Sequence, residues 1–287
     1  MPHDGRRRSR CRRCRPGPEI CIHRRSARGP LIPLSSRTQG HGRSGALEMR
    51  RLDPSGAPSM LSGPMTPPSP IEAVVFDLDG TLIDSFPDIR AACNFTLEQL
   101  GRPALSDPLI RSFVGRGSRR LVASALGVQP EDALVNEALA IFLDYYEAHP
   151  VDLTVPRPGA LELIELFGAR AMAICTNKPA RITARVVEAL GWRNQFGAVI
   201  AGGDAPALKP DPRPVELACE RIGVSPHQSI MVGDGAEDVL AARTAGAFSV
   251  AVLGGFPREE LVRASNPDWL VTDLFELKAR LEPHLTR

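Results

Sequence analysis

Residues 73–81 read Ala-Val-Val-Phe-Asp-Leu-Asp-Gly-Thr, and this stretch decides the fold. A short run of apolar, largely β-branched residues followed at once by polar residues is typical of a strand inside a sheet. We predict that strand over residues 73–79, with Asp77 and Asp79 at its end. Because side chains two positions apart share a face of a strand, the two carboxylates should point the same way. Gly80 permits a sharp exit after them.

Apolar β-branched runs alternate with amphipathic helical stretches along the rest of the chain. The runs predict strands at 171–177, 198–204, 229–235 and 248–253, with a weaker edge strand at 269–272. Such alternation is typical of an α/β fold, a doubly wound parallel sheet with helices on both faces. Ligands lie outside the carboxyl ends of such strands, where the strand order switches, so polar residues gathered there indicate one site.

About ninety residues separate the first predicted strand from the second, and they read mostly as helix. This is too much for one crossover, so we expect a small helical cap over residues 86–155. The α/β core would then consist of residues 71–85 and 156–287. Tyr145 and Tyr146 fall in an apolar helical stripe of the cap segment, a position that favours packing inside the cap.

The charge of the chain is divided unevenly. Residues 1–70 carry 14 arginines against four acids, a net charge of +10, and the remainder carries −8. The first part is rich in Arg, Pro, Gly and Ser and has no apolar period, so we expect a disordered tail. Because Met65 and two other methionines precede the first predicted strand, this tail can also lie upstream of the true start of translation.

The tail leaves open a function of a different class. Cys11, Cys14, Cys21 and His23 have a superficial likeness to a zinc site, and the arginines could contact nucleic-acid phosphates. An apparently complete set of acids at the predicted strand ends argues against a zinc-binding or nucleic-acid-binding protein. We therefore do not expect nucleic acid as a partner.

No apolar run approaches the roughly 20 residues of a membrane helix, and no apolar stretch follows the basic N-terminus as in a secretory signal. We expect a cytoplasmic protein without a membrane partner, either a monomer or a homodimer. Cys93, Cys175 and Cys219 lie in apolar contexts, so we expect buried thiols and no disulfide framework.

The later strand ends supply groups that suit a phosphate. Thr176 and Asn177 offer a hydroxyl, an amide and backbone N–H groups to phosphoryl oxygens. Lys209, on a loop bounded by prolines, can neutralise developing phosphoryl charge. Asp234 and Asp238 suit a helix N-terminus or a hard cation.

Two adjacent acids repel each other unless a cation lies between them or one keeps its proton. A carboxylate nucleophile beside a carboxyl proton donor is one use for such a pair. Mg²⁺ prefers octahedral oxygen ligands and keeps several waters, which suits two carboxylates and a carbonyl beside a substrate phosphate. Asp77, Asp79 and Asp234 are the natural set for this ion.

These elements, in this order, resemble the four motifs of the haloacid dehalogenase superfamily: DxDGT, a strand-end Thr, a Lys, and GDxxxD. The resemblance covers residues 71 to about 275. It implies that Asp77 is the nucleophile and Asp79 the general acid and base, acting through an aspartyl-phosphate intermediate. It also implies that Thr176 and Lys209 bind the phosphate.

For the metal, the resemblance implies a Mg²⁺ site completed by Asp234, with Asp79 ligating through its backbone carbonyl. Asp238 matches the family's last acid, which supports the metal through water or holds Lys209. Gly235 stands where many relatives have Ser or Thr, which removes one hydroxyl near the metal.

Within the superfamily, residues 145–149 (Tyr-Tyr-Glu-Ala-His) and 175–179 (Cys-Thr-Asn-Lys-Pro) look most like the bacterial phosphoglycolate phosphatases. This implies a small phosphorylated metabolite as substrate, 2-phosphoglycolate, hydrolysed to glycolate and phosphate. A positively charged side chain must then bind the substrate's carboxylate. Arg116 is our candidate for this contact, and Arg157 and Lys178 are among the other possible residues. Arg157 departs from the relatives, which often have an aromatic residue there.

Other activities use the same motifs. A sugar-phosphate phosphatase, a pyrophosphate phosphatase or a phosphomutase of this superfamily would share the nucleophile, and the motifs do not separate them.

Overall fold

The fold is described by a computed structural model over residues 66–168, 171–257 and 259–285. The predicted tail comprises residues 1–70. Residues 1–65 lie outside these ranges, and they include every residue on which the zinc-binding and nucleic-acid-binding alternatives depend. None of the helices within the ranges has both the length and the apolar character that crossing a membrane requires.

The strands are short and mostly parallel. In chain order they are β1 (Ala73–Phe76), β2 (Ile83–Asp84), β3 (Val155–Pro156), β4 (Ala171–Pro179), β5 (Ala198–Gly202), β6 (Ser229–Gly233), β7 (Phe248–Val252) and β8 (Trp269–Val271). Six of them form one sheet in the order β5-β4-β1-β6-β7-β8, and every neighbouring pair is parallel. The predicted α/β parallel sheet is confirmed.

Ten α-helices connect these strands within the described ranges. They are α1 (Phe86–Gln99), α2 (Asp107–Arg111), α3 (Ser118–Leu126), α4 (Ala133–Ala148), α5 (Ala160–Phe167), α6 (Ala180–Ala189), α7 (Arg213–Arg221), α8 (Ala236–Ala245), α9 (Glu259–Ala264) and α10 (Leu274–Leu281).

The central strand β1 is covered by apolar side chains on both faces. Phe76 packs edge-on against Phe167 of α5 on one face, with ring centroids 6.1 Å apart. Val75 points to the other face and joins a cluster with Val215 of α7 and Ala241 of α8. Burying such a side chain stabilises the fold by about 1.5–3 kcal/mol, so strand and helices form together.

The strand order switches at β1. The chain runs from β1 to β4 and β5 on one side, then returns to place β6 on the other side of β1. This arrangement brings the carboxyl ends of β1, β4 and β6 side by side, the position where such sheets bind ligands.

The first strand is shorter than predicted. It ends at Phe76, although the Asp77 N–H still donates to Val232 of β6 at 2.8 Å. The chain then turns at Gly80, where φ is +85°, so Asp79 lies in a loop and forms a bridge with Ile83. The pleat argument for two parallel carboxylates therefore does not apply, because the second acid is no longer on a strand.

The helices α1 to α4 lie between β2 and β3, which pair antiparallel at the two ends of this segment. Tyr145 of α4 stacks on Phe95 of α1, with ring centroids 4.4 Å apart. The Asp88 carboxylate accepts the N–H groups of Leu153 and Thr154, which ties α1 to the end of the segment. The extent of the cap, residues 86–155, stays a prediction. Cys93, Cys175 and Cys219 are buried free thiols, as expected.

Candidate active site

Three buried carboxylates meet at the carboxyl ends of β1 and β6. Asp77 follows β1, Asp234 follows β6, and Asp238 lies in the first turn of α8. Each offers an oxygen within 4.8 Å of the others. Because β1 and β6 are neighbours, the switch in strand order is what brings these distant residues together.

Lys209 supplies part of the positive charge that this cluster needs. Its Nζ lies 2.8 Å from Asp77 Oδ1 and 2.6 Å from Asp238 Oδ1, and its side chain is 2% exposed. Burial by itself would lower the pKa of Lys209, but Asp238 and Asp77 hold that pKa above its usual value. The ammonium therefore stays charged.

One ammonium does not balance three carboxylates. Burial raises the pKa of Asp77 to about 7; Lys209 opposes this shift and Asp238 adds to it. Burial, together with the charges of Asp77 and Asp238, also raises the pKa of Asp234. With all groups ionised the cluster has two negative charges in excess, which a divalent cation would cancel.

Two glycines make room for Asp234. A Cβ atom at Gly80 or at Gly255 would lie 2.1 Å from Asp234 Oδ2, closer than atoms approach each other. The same oxygen accepts the backbone N–H of Phe256 at 2.8 Å. Gly80 was expected to allow the turn after β1, and the structure shows that it also leaves space for this carboxylate.

Asp79 lines the same cavity but has different partners from the other three acids. Its Oδ1 accepts the Ser85 hydroxyl at 2.5 Å and the Lys178 ammonium at 2.9 Å, and Lys178 reaches Oδ2 at 3.2 Å. The carboxylate is therefore neutralised separately from the cluster. Its predicted part in the metal site, through the backbone carbonyl, stays a prediction.

Lys178 and Tyr146 join the helical segment to this acid. The Lys178 side chain is 2% exposed, donates to the Tyr146 hydroxyl, and lies 4.2 Å from the centroid of that ring. Tyr146 is buried and packs against Phe142, as predicted from its apolar stripe. The sequence pattern did not indicate that its hydroxyl would reach Lys178, because α4 and the end of β4 are far apart in the chain.

Thr176 and Asn177 both lie at the site but differ in what they offer. Thr176 lines the cavity, and its hydroxyl oxygen accepts the Lys178 N–H at 3.2 Å. The Asn177 amide donates to the carbonyls of Gly115 and Lys209, each at 2.9 Å, and its oxygen accepts the Lys209 N–H at 2.9 Å. Asn177 therefore holds the Lys209 loop, and a side-chain contact with substrate stays a prediction.

Arg116 lies outside the cavity. Its guanidinium donates to Glu237 at 2.8 Å, and its side chain is 63% exposed. Glu237, in contrast, lines the cavity. The predicted contact between Arg116 and substrate would require the guanidinium to leave Glu237, and it stays a prediction.

Arg157 has a structural role that the sequence did not reveal. Its guanidinium donates to the carbonyl of Gly80, and to that of Leu253 at 3.0 Å. It thereby ties the loop after β1 to the loop that follows β7, which carries Gly255 and Phe256. The resemblance to the family singled out this position, but it did not indicate the contacts of Arg157.

The site encloses one cavity of about 60 Å³. Its polar wall contains Asp77, Asp79, Thr176, Lys178, Lys209, Asp234 and Asp238. Its apolar wall contains Ile89, Val114, Leu121, Phe142 and Phe256. Most of the apolar side chains come from the helical segment and the polar ones from the strand ends, so a ligand would bind between them.

The chain is similar to known proteins over nearly all of its described part. Residues 71–246 match the haloacid dehalogenase-like hydrolases. A phosphoglycolate phosphatase of Pseudomonas putida is 38% identical over 209 residues, 70% of this chain and 76% of that protein. One of Neisseria meningitidis is 34% identical over 74% of this chain and 94% of that protein.

A solved structure agrees with this. A predicted phosphoglycolate phosphatase of Haemophilus somnus has a TM-score of 0.68 and is 27% identical, over 74% of this chain and 99% of that one. In this chain the acids after β1 and β6, the Thr of β4 and the buried lysine of the loop after β5 line one cavity. The chain belongs to the haloacid dehalogenase-like hydrolases.

Proposed function

We propose that this protein is a Mg²⁺-dependent phosphatase that hydrolyses a small phosphate monoester, with 2-phosphoglycolate as its substrate. The observation that carries the proposal is the cluster of Asp77, Asp234 and Asp238 around Lys209, beside a separately neutralised Asp79. The residues that would serve as nucleophile and proton carrier thus line the same cavity, beside an excess of negative charge.

The donor set fits Mg²⁺. Three buried carboxylates offer hard oxygens, and their two excess negative charges match a divalent cation. Asp77 and Asp234 would hold the ion, with the backbone carbonyl of Asp79, and Asp238 would support it while binding Lys209. When bound, Mg²⁺ would polarise the phosphoryl oxygens and offset the charge that develops on them.

In the first half of the reaction, the free oxygen of the Asp77 carboxylate attacks phosphorus. An O–P bond forms to Asp77 while the bond from phosphorus to the ester oxygen breaks, and Asp79 gives its proton to the leaving alkoxide. Lys209 holds Asp77 Oδ1 at 2.8 Å, so it orients the nucleophile and stabilises charge on the phosphoryl group.

In the second half, Asp79 takes a proton from water as the water attacks the phosphorus of the aspartyl phosphate. The bond between Asp77 and phosphorus breaks, and phosphate leaves. Asp79 Oδ2 suits this proton transfer, because Ser85 and Lys178 both donate to Oδ1 at the shorter distances.

The choice of 2-phosphoglycolate is supported by two observations. Two curated relatives, 38% and 34% identical, carry the name phosphoglycolate phosphatase, and the cavity of about 60 Å³ suits a compact ligand. A sugar-phosphate phosphatase, a pyrophosphate phosphatase and a phosphomutase remain the alternatives, because each would use the same nucleophile.

The test is an assay of the purified protein with Mg²⁺ against 2-phosphoglycolate, sugar phosphates, nucleotides and pyrophosphate. Asp77→Asn is the control, since it removes the nucleophilic oxygen while keeping the volume of the side chain. We expect the highest kcat/KM for 2-phosphoglycolate, abolished by EDTA and reduced by about 10⁴-fold or more in the variant.

Other results would separate the alternatives. Preference for another ester would keep the mechanism and discard 2-phosphoglycolate as the substrate. An isomerised sugar phosphate as the product, in place of free phosphate, would identify a mutase. No metal-dependent turnover of any ester would contradict the proposal as a whole.

A further inference from the structure

The Tyr146 hydroxyl has a proton without an acceptor. Within the described ranges its hydrogen-bond partner is the Lys178 ammonium, which can only donate. The hydroxyl oxygen therefore accepts from Lys178, and its own O–H remains unused. Tyr146 is 2% exposed and lines the cavity, so its hydroxyl is available to a ligand bound there.

A buried donor of this kind is costly unless a partner arrives. Leaving a buried hydrogen-bonding group unsatisfied is unfavourable, so a ligand that accepts this proton gains affinity. Burial raises the pKa of Tyr146 to about 12, with Lys178 opposing this shift, so the hydroxyl keeps its proton at neutral pH. The group is thus a permanent donor in the wall of the cavity.

The position of the Tyr146 hydroxyl relative to Asp79 indicates which part of a substrate it would contact. Lys178 Nζ contacts Tyr146 and Asp79 at the same time. In the proposed reaction Asp79 protonates the leaving oxygen, whereas Asp77 and Lys209 hold the phosphoryl group. Tyr146 therefore lies on the leaving-group side of the site.

We infer that the Tyr146 hydroxyl donates to the substrate's carboxylate and, together with the charge of Lys178, selects 2-phosphoglycolate over phosphate esters whose alcohol portion carries no charge. This inference rests on the proposed function and names a residue that determines its specificity.

The test compares 2-phosphoglycolate with ethyl phosphate, which has a methyl group in place of the carboxylate. Tyr146→Phe removes the hydroxyl and keeps the ring that packs on Lys178 and Phe142. Tyr145→Phe is the matched control, because it removes a hydroxyl one residue away from a ring stacked on Phe95. We expect Tyr146→Phe to reduce the preference for 2-phosphoglycolate, as a ratio of kcat/KM values, by about 10-fold or more.

A binding measurement separates recognition from catalysis. In an Asp77→Asn background, which does not turn over, adding Tyr146→Phe should raise the Kd for 2-phosphoglycolate about 10-fold and change the Kd for inorganic phosphate much less. Tyr145→Phe in the same background should leave both constants as they were.

Each outcome decides something. An equal loss with both esters would mean that Tyr146 acts only by positioning Lys178, and it would overturn the inference. An unchanged preference would also overturn it. Wild-type protein that hydrolyses ethyl phosphate but not 2-phosphoglycolate would contradict the proposed substrate before any variant is compared, so the two failures are distinguishable.

Discussion

The Lys209 ammonium lies 2.8 Å from the Asp77 carboxylate, although the two residues are 132 positions apart in the chain. The same ammonium is 2.6 Å from Asp238, so one cation links the loop after β1, the loop after β5 and the helix α8. Charge neutralisation in this site therefore also holds the strand ends together.

Lys209→Met should destabilise the metal-free protein. It leaves buried carboxylates without their cation, and removing one partner of a buried ion pair costs about 3–5 kcal/mol. Urea unfolding in EDTA would measure the loss. Lys278→Met, which breaks a partly exposed pair with Glu282, is the control and should cost less than about 1 kcal/mol. Equal effects of the two changes would show that Lys209 is not required to balance the cluster.

The metal-free protein should become less stable as the pH rises from about 4 towards 7. The pKa of Asp77 is raised by burial from 3.8 to about 7, so in this interval the folded protein binds more protons than the unfolded chain. Asp234, whose pKa burial also raises, acts in the same direction. Unfolding free energies of wild type and Asp77→Asn across this pH range would isolate the contribution of Asp77.

The same linkage predicts proton release when Mg²⁺ binds at pH 7. Burial raises the pKa of Asp77 to about 7, so this carboxyl is partly protonated there and metal binding should displace a fraction of a proton from it. Calorimetric titration in two buffers of different ionisation enthalpy would measure the number of protons released per Mg²⁺ bound. Release that is the same in Asp77→Asn would contradict the raised pKa.

Arg157→Lys should weaken Mg²⁺ binding several-fold and lower the free energy of unfolding by about 1–3 kcal/mol. A lysine keeps the charge but lacks the planar fork that reaches both Gly80 and Leu253. The loop whose Phe256 N–H donates to Asp234 would then lose its connection through Arg157 to the loop after β1. Arg213→Lys, at an exposed pair with Asp211, is the matched control. Unchanged Mg²⁺ affinity would show that the tie does not position the site.

Arg116→Gln should raise the KM for 2-phosphoglycolate by only about two- to fivefold. To reach the substrate, Arg116 must exchange one carboxylate, Glu237, for another, so the net gain is that of a surface pair, about 0.5–1 kcal/mol. Steady-state kinetics would measure it, with the exposed Arg120→Gln as control. If the KM of Arg116→Gln equals that of the control variant, Arg116 does not bind the substrate.

Much of the fold was predictable because it depends on local patterns. Apolar β-branched runs, each followed by Asp, Asn or Gly, indicated the strands of the sheet and the residues at their ends. Some errors were at the boundaries, since β1 stops at Phe76, before Asp77, and β4 continues to Pro179. The short strands β2 and β3 were not predicted. Strand ends depend on pairing with neighbouring strands, which a single sequence does not contain.

By itself, the sequence determined the parallel α/β sheet and the group of residues at its carboxyl edge, since periodicity and strand-end chemistry are local properties. Only the tertiary structure decided how those residues divide: Asp238 joins Asp77 and Asp234, while Asp79 turns to Lys178. It also decided that the Tyr146 hydroxyl reaches Lys178 and that Arg157 bridges two loops. These contacts depend on distances through space between segments far apart in the chain, and such distances exist only once the helices have packed on the sheet.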